Sequence, residues 1–215
     1  MSKPRKKRTY DATGRRRAAV ENKERILFAA RSLFAERGYK ETTIDAIAVA
    51  AGLSAPTVYA AFGSKHGVLS RLLDRLVSGE PGGPNVLGTA HARDVLAEED
   101  PRRLLEKFAQ HMAEILERVA PVYDAMKNAA RSEPDVAELY ARALGNRFRN
   151  LHALAERLAA RGALRPGVDA EEAGRTIWAV SSPEVRQLLL AHAGWSHQRY
   201  ASWLATTLAA ALLPD

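Results

Sequence analysis

Apolar positions recur along almost the whole chain with helical spacing. Between Ala18 and Arg37, Ile26, Leu27, Ala30, Leu33 and Phe34 stand at i, i+1, i+4, i+7 and i+8, on one face of a helix. Gly38 predicts its end, because glycine accepts the positive φ of a helix terminus. Ile44, Ile47, Ala48 and Ala51 share a second stripe, with Thr42 or Thr43 as its cap. Gly52 then permits a sharp turn. Ser54 caps a third helix to Phe62, with Pro56 in the first turn, where a missing N–H costs little. After Gly63 and Ser64, Val68, Leu69, Leu72, Leu73 and Leu76 outline a fourth helix.

Gly79, Pro81, Gly82, Gly83, Pro84 and Gly88 mark a linker over 79–100, with a short helix near Ala92–Glu98. Longer helices follow. Pro101 opens one bearing Leu104, Leu105, Phe108, Met112, Ile115, Leu116 and Val119. Pro121 is expected to start a separate short helix ending near Ser132. Pro134 starts a long one that buries Leu139, Tyr140, Leu144, Leu151, Leu154 and Leu158 and closes at Gly162. Asp169 caps the next, which carries Ile177 and Trp178 and breaks at Pro183. A segment with Val185, Leu188 and Leu189 ends at Gly194, and Ser196 caps a last helix with a broad apolar stripe. Neither strand alternation nor a repeat is visible. The pattern predicts an all-α protein of about nine or ten helices.

Composition agrees. Hydrophobic residues make up 47% of the 215, with Ala and Leu dominant, a balance that favours helix over strand. The absence of cysteine excludes disulfides, thiolate metal sites and a cysteine nucleophile. No apolar run approaches the length of a membrane span. The basic N-terminus lacks the apolar core of a secretory signal, so a cytoplasmic protein is expected.

Charge locates the function. Residues 1–80 hold 16 Lys+Arg against 8 Asp+Glu, a net of +8, while the other 135 hold 16 against 17, a net of −1. A polyanion should therefore meet the first third of the chain. Within it, TTIDAIAVAAGLSAPTVYAAFGSK (Thr42 to Lys65) has the plan of a helix-turn-helix, whose second helix lies in the DNA major groove. Ile44, Ile47 and Ala48 pack the first helix, and Leu53, Val58 and Phe62 anchor the second. Ser54, Ala55, Thr57, Tyr59 and Ala60 are left facing outward. Thr42, Thr43 and Lys65 are placed at helix starts, where phosphate contacts are expected.

On these residues the stretch 24–74 resembles the DNA-binding domain of the tetracycline-repressor (TetR) family of bacterial regulators. The matching segments are RILFAARSLFAERGYKETTIDAIA, AGLSAPTVYAAFGSK and the leucine-rich helix that follows. The remainder is similar in layout only. The resemblance implies a homodimer on a palindromic operator, a ligand cavity in the C-terminal domain and release of double-stranded DNA on ligand binding. It assigns recognition-helix contacts to Ser54, Ala55, Thr57, Val58 and Tyr59, and phosphate contacts to Thr43 and Lys65. The division read from the chain is a flexible basic arm at 1–17, a three-helix helix-turn-helix domain at 18–66 and a connecting helix and linker at 67–100. A larger helical regulatory and dimerisation domain occupies 101–215.

Three further groups are candidates. Lys3, Arg5, Lys6, Lys7, Arg8, Arg15, Arg16 and Arg17 form the arm, which either follows the minor groove or adds salt-sensitive, non-specific affinity. Phe108, His111, Met112, Ile115, Tyr123, Met126, Phe148, His152 and Trp178 are candidates to line a cavity for a small-molecule effector. Val185, Leu188, Leu189, Tyr200, Trp203, Leu204, Thr207, Leu208 and Ala211 are candidates for the dimer interface. An enzyme is not expected. The six histidines show no HExxH or comparable ligand spacing, and neither a phosphate loop nor a GxSxG turn occurs, so no metal or cofactor is expected. The arm lacks the apolar face that membrane binding requires.

Overall fold

The computed structural model describes residues 12–79 and 89–214, and among these there is no strand. Helix α1 (Ala12–Glu41) bends at Gly38, where φ is 75°. It begins six residues before the apolar pattern does, which corrects the expected extent of the arm. Arg15, Arg16 and Arg17 stand on exposed helix, because Ala and Arg extend a formed helix without needing an apolar face. Arg5, Lys6, Lys7 and Arg8 lie outside the described residues.

The head continues with α2 (Ile44–Ala51), α3 (Ala55–Phe62) and α4 (Lys65–Ser78). The caps are Thr43, Ser54 and Ser64, each accepting a main-chain N–H from the first turn of its helix. Beyond the linker come α5 (Ala90–Ala97), α6 (Pro101–Ala129) and α7 (Pro134–Ala160). Then follow α8 (Ala170–Val180), α9 (Pro183–Gln187), a π-helical stretch at Leu188–His192 and α10 (His197–Leu212).

Pro121 starts no helix. It lies inside α6, which runs unbroken for 29 residues. The ring sits on the exposed side, while Leu116, Val119, Val122 and Met126 are buried continuously across it. A proline inside a helix costs roughly 3 kcal/mol, and burying several large side chains at about 1.5–3 kcal/mol each outweighs that.

Two apolar cores result, and their boundary does not follow the expected domain boundary. The first unites α1 to α4 with the second half of α6 and the start of α7, through Ile115, Val119, Met126 and Leu139. The second holds α5, the first half of α6, the end of α7, α8 and α10 around Leu105, Leu158, Ile177 and Leu204. Helix α6 therefore passes through both. Polar ties reinforce the junction. Arg75 on α4 pairs with Glu24 on α1 at 3.1 Å within the head, and Arg118 ties α6 to the head by donating to the carbonyl of Leu76 at 3.2 Å. In the second core Gly174 lets α8 lie close to α7, since a Cβ there would stand 2.6 Å from the His152 ring.

Candidate nucleic-acid interface

The turn between α2 and α3 is built on Gly52, in the left-handed region at φ 63°. The Arg25 guanidinium donates to its carbonyl at 3.2 Å, and a Cβ on Gly52 would stand 2.7 Å from that guanidinium. The left-handed backbone favours glycine here. Leu53 N–H continues the turn by donating to the Ala48 carbonyl at 2.9 Å. Helix α3 is thereby set across α2 at 106°.

Val58 holds α3 to the core, with no exposed surface. The outer face carries Ser54, Tyr59 and Ala60, all exposed, with Ala55 and Thr57 partly so. Ser54 and Thr57 hydroxyls lie 2.8 Å apart, and Ser54 Oγ also accepts the Thr57 N–H at 3.4 Å. That arrangement fixes both hydroxyls at the N-terminus of α3, where main-chain N–H groups and a partial positive charge converge. Tyr59 projects with 53% of its surface free. Small hydroxylated side chains and one aromatic suit hydrogen bonds and apolar contacts to base edges. Helix α3 carries no charged residue, so attraction to phosphate must come from its neighbours.

Three candidates are corrected. Thr42 is fully buried, and its hydroxyl donates to the carbonyls of Gly38 at 2.7 Å and Leu33 at 3.2 Å. It stitches the bend at Gly38 near the end of α1, with its hydroxyl turned to main-chain carbonyls. Thr43 is the exposed one, and it caps α2. Val58 is core for the reason given. Lys65 does not reach outward. Its ammonium donates to the Tyr39 carbonyl at 2.9 Å and sits 4.1 Å from the centre of the Tyr39 ring. Burial lowers its pKa below the ordinary lysine value.

The nine cavity candidates do not converge on one space. Phe108 and Met112 are buried in the second core, and Ile115, Tyr123 and Met126 in the first. Phe148 and Trp178 meet edge to face at 6.2 Å, and Phe148 and His152 at 5.7 Å. His111 stacks on His91 at 4.0 Å. Sequence reasoning passed over Arg147, which donates to the Trp178 carbonyl at 2.6 Å and to Ser181 Oγ at 3.2 Å in the middle of these aromatic residues. A lone arginine on a helix gives no sequence signal of being turned inward. A cavity of about 570 Å³ lies elsewhere, between the end of α1, the middle of α6 and α9 with its π-helical extension. Arg37, Glu117, Asp124, Asn128, Arg186 and Gln187 supply its polar lining.

The dimer candidates also divide. Tyr200, Leu204 and Leu208 have no exposed surface and pack within the chain's own second core, which removes them from any surface. A one-dimensional stripe cannot separate the inner part of an apolar face from its rim. Leu188 is 60% exposed, and Val185, Leu189, Trp203, Thr207 and Ala211 are partly exposed.

Comparison with known proteins agrees with this geometry. Residues 26–72 match the family model of bacterial regulatory proteins of the tetR family. The chain is 41% identical over 70 residues to the HTH-type transcriptional activator FasR of Mycolicibacterium smegmatis, a match spanning 31% of this chain and 32% of that protein. Its fold is similar to that of native NalD, the secondary repressor of the MexAB-OprM multidrug efflux pump in Pseudomonas aeruginosa, with a TM-score of 0.68 at 20% identity, covering 92% of this chain and 99% of that one. It is also similar to the SmeT protein of a SmeT–triclosan complex, with a TM-score of 0.66 at 19% identity, covering 90% and 92%. The likeness to the tetR family of bacterial regulatory proteins thus lies in the helix-turn-helix domain, residues 26–72, and over the rest of the chain the likeness is one of fold.

Proposed function

We propose that the protein is a sequence-specific, DNA-binding transcriptional regulator, a repressor that leaves its operator when a small molecule binds its C-terminal part. The observation that carries this reading is the outer face of α3. Ser54, Thr57 and Tyr59 are presented beside a helix N-terminus while Val58 anchors the helix from behind. The protein would act in the bacterial cytoplasm, on the nucleoid when DNA-bound. It would bind as a homodimer, since two recognition helices must reach half-sites about one helical turn apart. The exposed Leu188 and its partly exposed neighbours on α9 and α10 suit that contact.

The release step draws support from α6. A ligand acts only through its differential affinity for two arrangements. Because α6 belongs to both cores, an occupant of the C-terminal part that displaces α6 also displaces the head. The cavity beside Gly38 touches α1, α6 and α9 together, and the related SmeT is a protein of known complex with triclosan.

The test is to mix the purified chain with fragmented genomic DNA of its source at near-physiological salt and to sequence what is retained. A palindrome with half-sites about one helical turn apart is the expected result. Retention without a motif, vanishing as salt rises, would reduce the protein to non-specific DNA binding.

A further inference from the structure

We infer that His91 on α5 and His111 with Glu114 on α6 form a binding site for a late first-row divalent cation of the Zn²⁺ class, which would clip α5 to α6. One donor atom from each of the three residues lies within 4.8 Å of the other two. His111 and Glu114 are three residues apart, on one face of α6. The pairing of α5 with α6 brings in His91 from twenty residues away. The two rings are nearly parallel, 14° between planes, with centroids 4.0 Å apart.

The placement of α5 is itself fixed. Lys107, one turn before His111, pairs with Asp94 at 3.4 Å and Glu98 at 3.0 Å, both on or at the end of α5. Both ring nitrogens of His111 are out of contact with solvent and have no hydrogen-bond partner among the described residues. A buried polar group without a partner is costly, by about 1–3 kcal/mol, so such a group calls for an explanation. A cation held by one nitrogen of each ring would satisfy one of the two His111 nitrogens.

The donor set selects the ion. Two imidazoles and one carboxylate suit Zn²⁺ and its neighbours rather than Ca²⁺ or Mg²⁺, which take oxygen cages. Tetrahedral ligation needs the donors about 3.3 Å apart. His91 and Glu114 are exposed, so small side-chain rotations close that gap without moving either helix. Three protein ligands leave a fourth position for water or an outside anion. Arg118, one turn after Glu114 on α6, donates to the Leu76 carbonyl.

The experiment uses the full chain without an affinity tag, stripped with a chelator and exchanged into metal-free buffer. Zn²⁺ is titrated calorimetrically, and Co²⁺ is followed by its visible absorption. The expected result is one ion per chain and a Co²⁺ spectrum of low coordination number. His91→Gln and Glu114→Gln change exposed side chains and leave the fold intact by circular dichroism. Each should weaken Zn²⁺ binding at least about tenfold. His192→Gln, on the far π-helical stretch, should leave it unchanged. Absence of stoichiometric binding, or equal binding by the wild type and His91→Gln, overturns the site.

Discussion

Lys65, the first residue of α4, places its ammonium 2.9 Å from the carbonyl of Tyr39 and 4.1 Å from the centre of the same residue's ring. One side chain thus fastens the start of α4 to the end of α1, across the helix-turn-helix. Replacement by Met removes the hydrogen bond and the cation–π contact, and should cost about 1–3 kcal/mol in urea denaturation. DNA affinity should fall, because α3 is held less firmly, while the slope of log affinity against log salt stays as in the wild type. A direct phosphate contact would instead lower that slope by about one unit.

Val58 and Tyr59 are neighbours with opposite duties. Val58→Ala opens a hole in a fully buried site and should cost about 1–3 kcal/mol. Tyr59→Ala changes an exposed side chain, so stability should stay within about 0.5 kcal/mol. Its effect belongs to operator binding, with an expected loss of about tenfold or more in a fluorescence anisotropy titration. Equal operator binding by Tyr59→Ala would move the reading face away from Tyr59.

Burial pushes the phenols of Tyr123 and Tyr200 up to about 12 from the ordinary 10.0. In the unfolded chain each ionises near pH 10, so between pH 10 and 12 the unfolded state holds fewer protons than the folded one. Stability contributed by these groups is complete below pH 10 and is lost as pH rises toward 12, by about 1.4 kcal/mol per pH unit for each. Tyr200→Phe should flatten this decline in denaturant titrations repeated at rising pH. The Tyr200 hydroxyl has no partner among the described residues, so at neutral pH the same substitution should be neutral or stabilise by up to about 1 kcal/mol. A loss above that range would show that the hydroxyl is bonded in solution.

On the dimer proposed through α9 and α10, Leu188 and Leu208 would separate assembly from folding. Leu188 is exposed on the π-helical stretch, and Leu208 is fully buried in α10. Leu188→Arg should convert dimer to monomer in sedimentation velocity while the helical spectrum is kept. Leu208→Arg should abolish cooperative unfolding, because a charge would enter the core. A Leu188→Arg protein that still sediments as a dimer would take the interface off this face.

Local patterns determined the helices and their ends. Gly38, Gly52, Ser54, Asp169 and Ser196 act at the positions their chemistry predicts, since a cap or a left-handed turn is decided within a few residues. The helix-turn-helix was legible for the same reason: its spacing lies within one short stretch, and the surplus of positive charge marks its end of the chain. Only tertiary structure decided which side of each stripe is covered. Pro121 stays within α6 because packing across it outweighs a local penalty. Thr42, Lys65 and Arg147 turn inward toward carbonyls that come from other elements or from beyond a bend. Tyr200, Leu204 and Leu208 are core rather than surface because α6 and α8 lie over them. His91 meets His111 only because α5 folds back along α6. Secondary structure is set by neighbours in the chain, whereas burial and the meeting of distant side chains are set by how the helices pack.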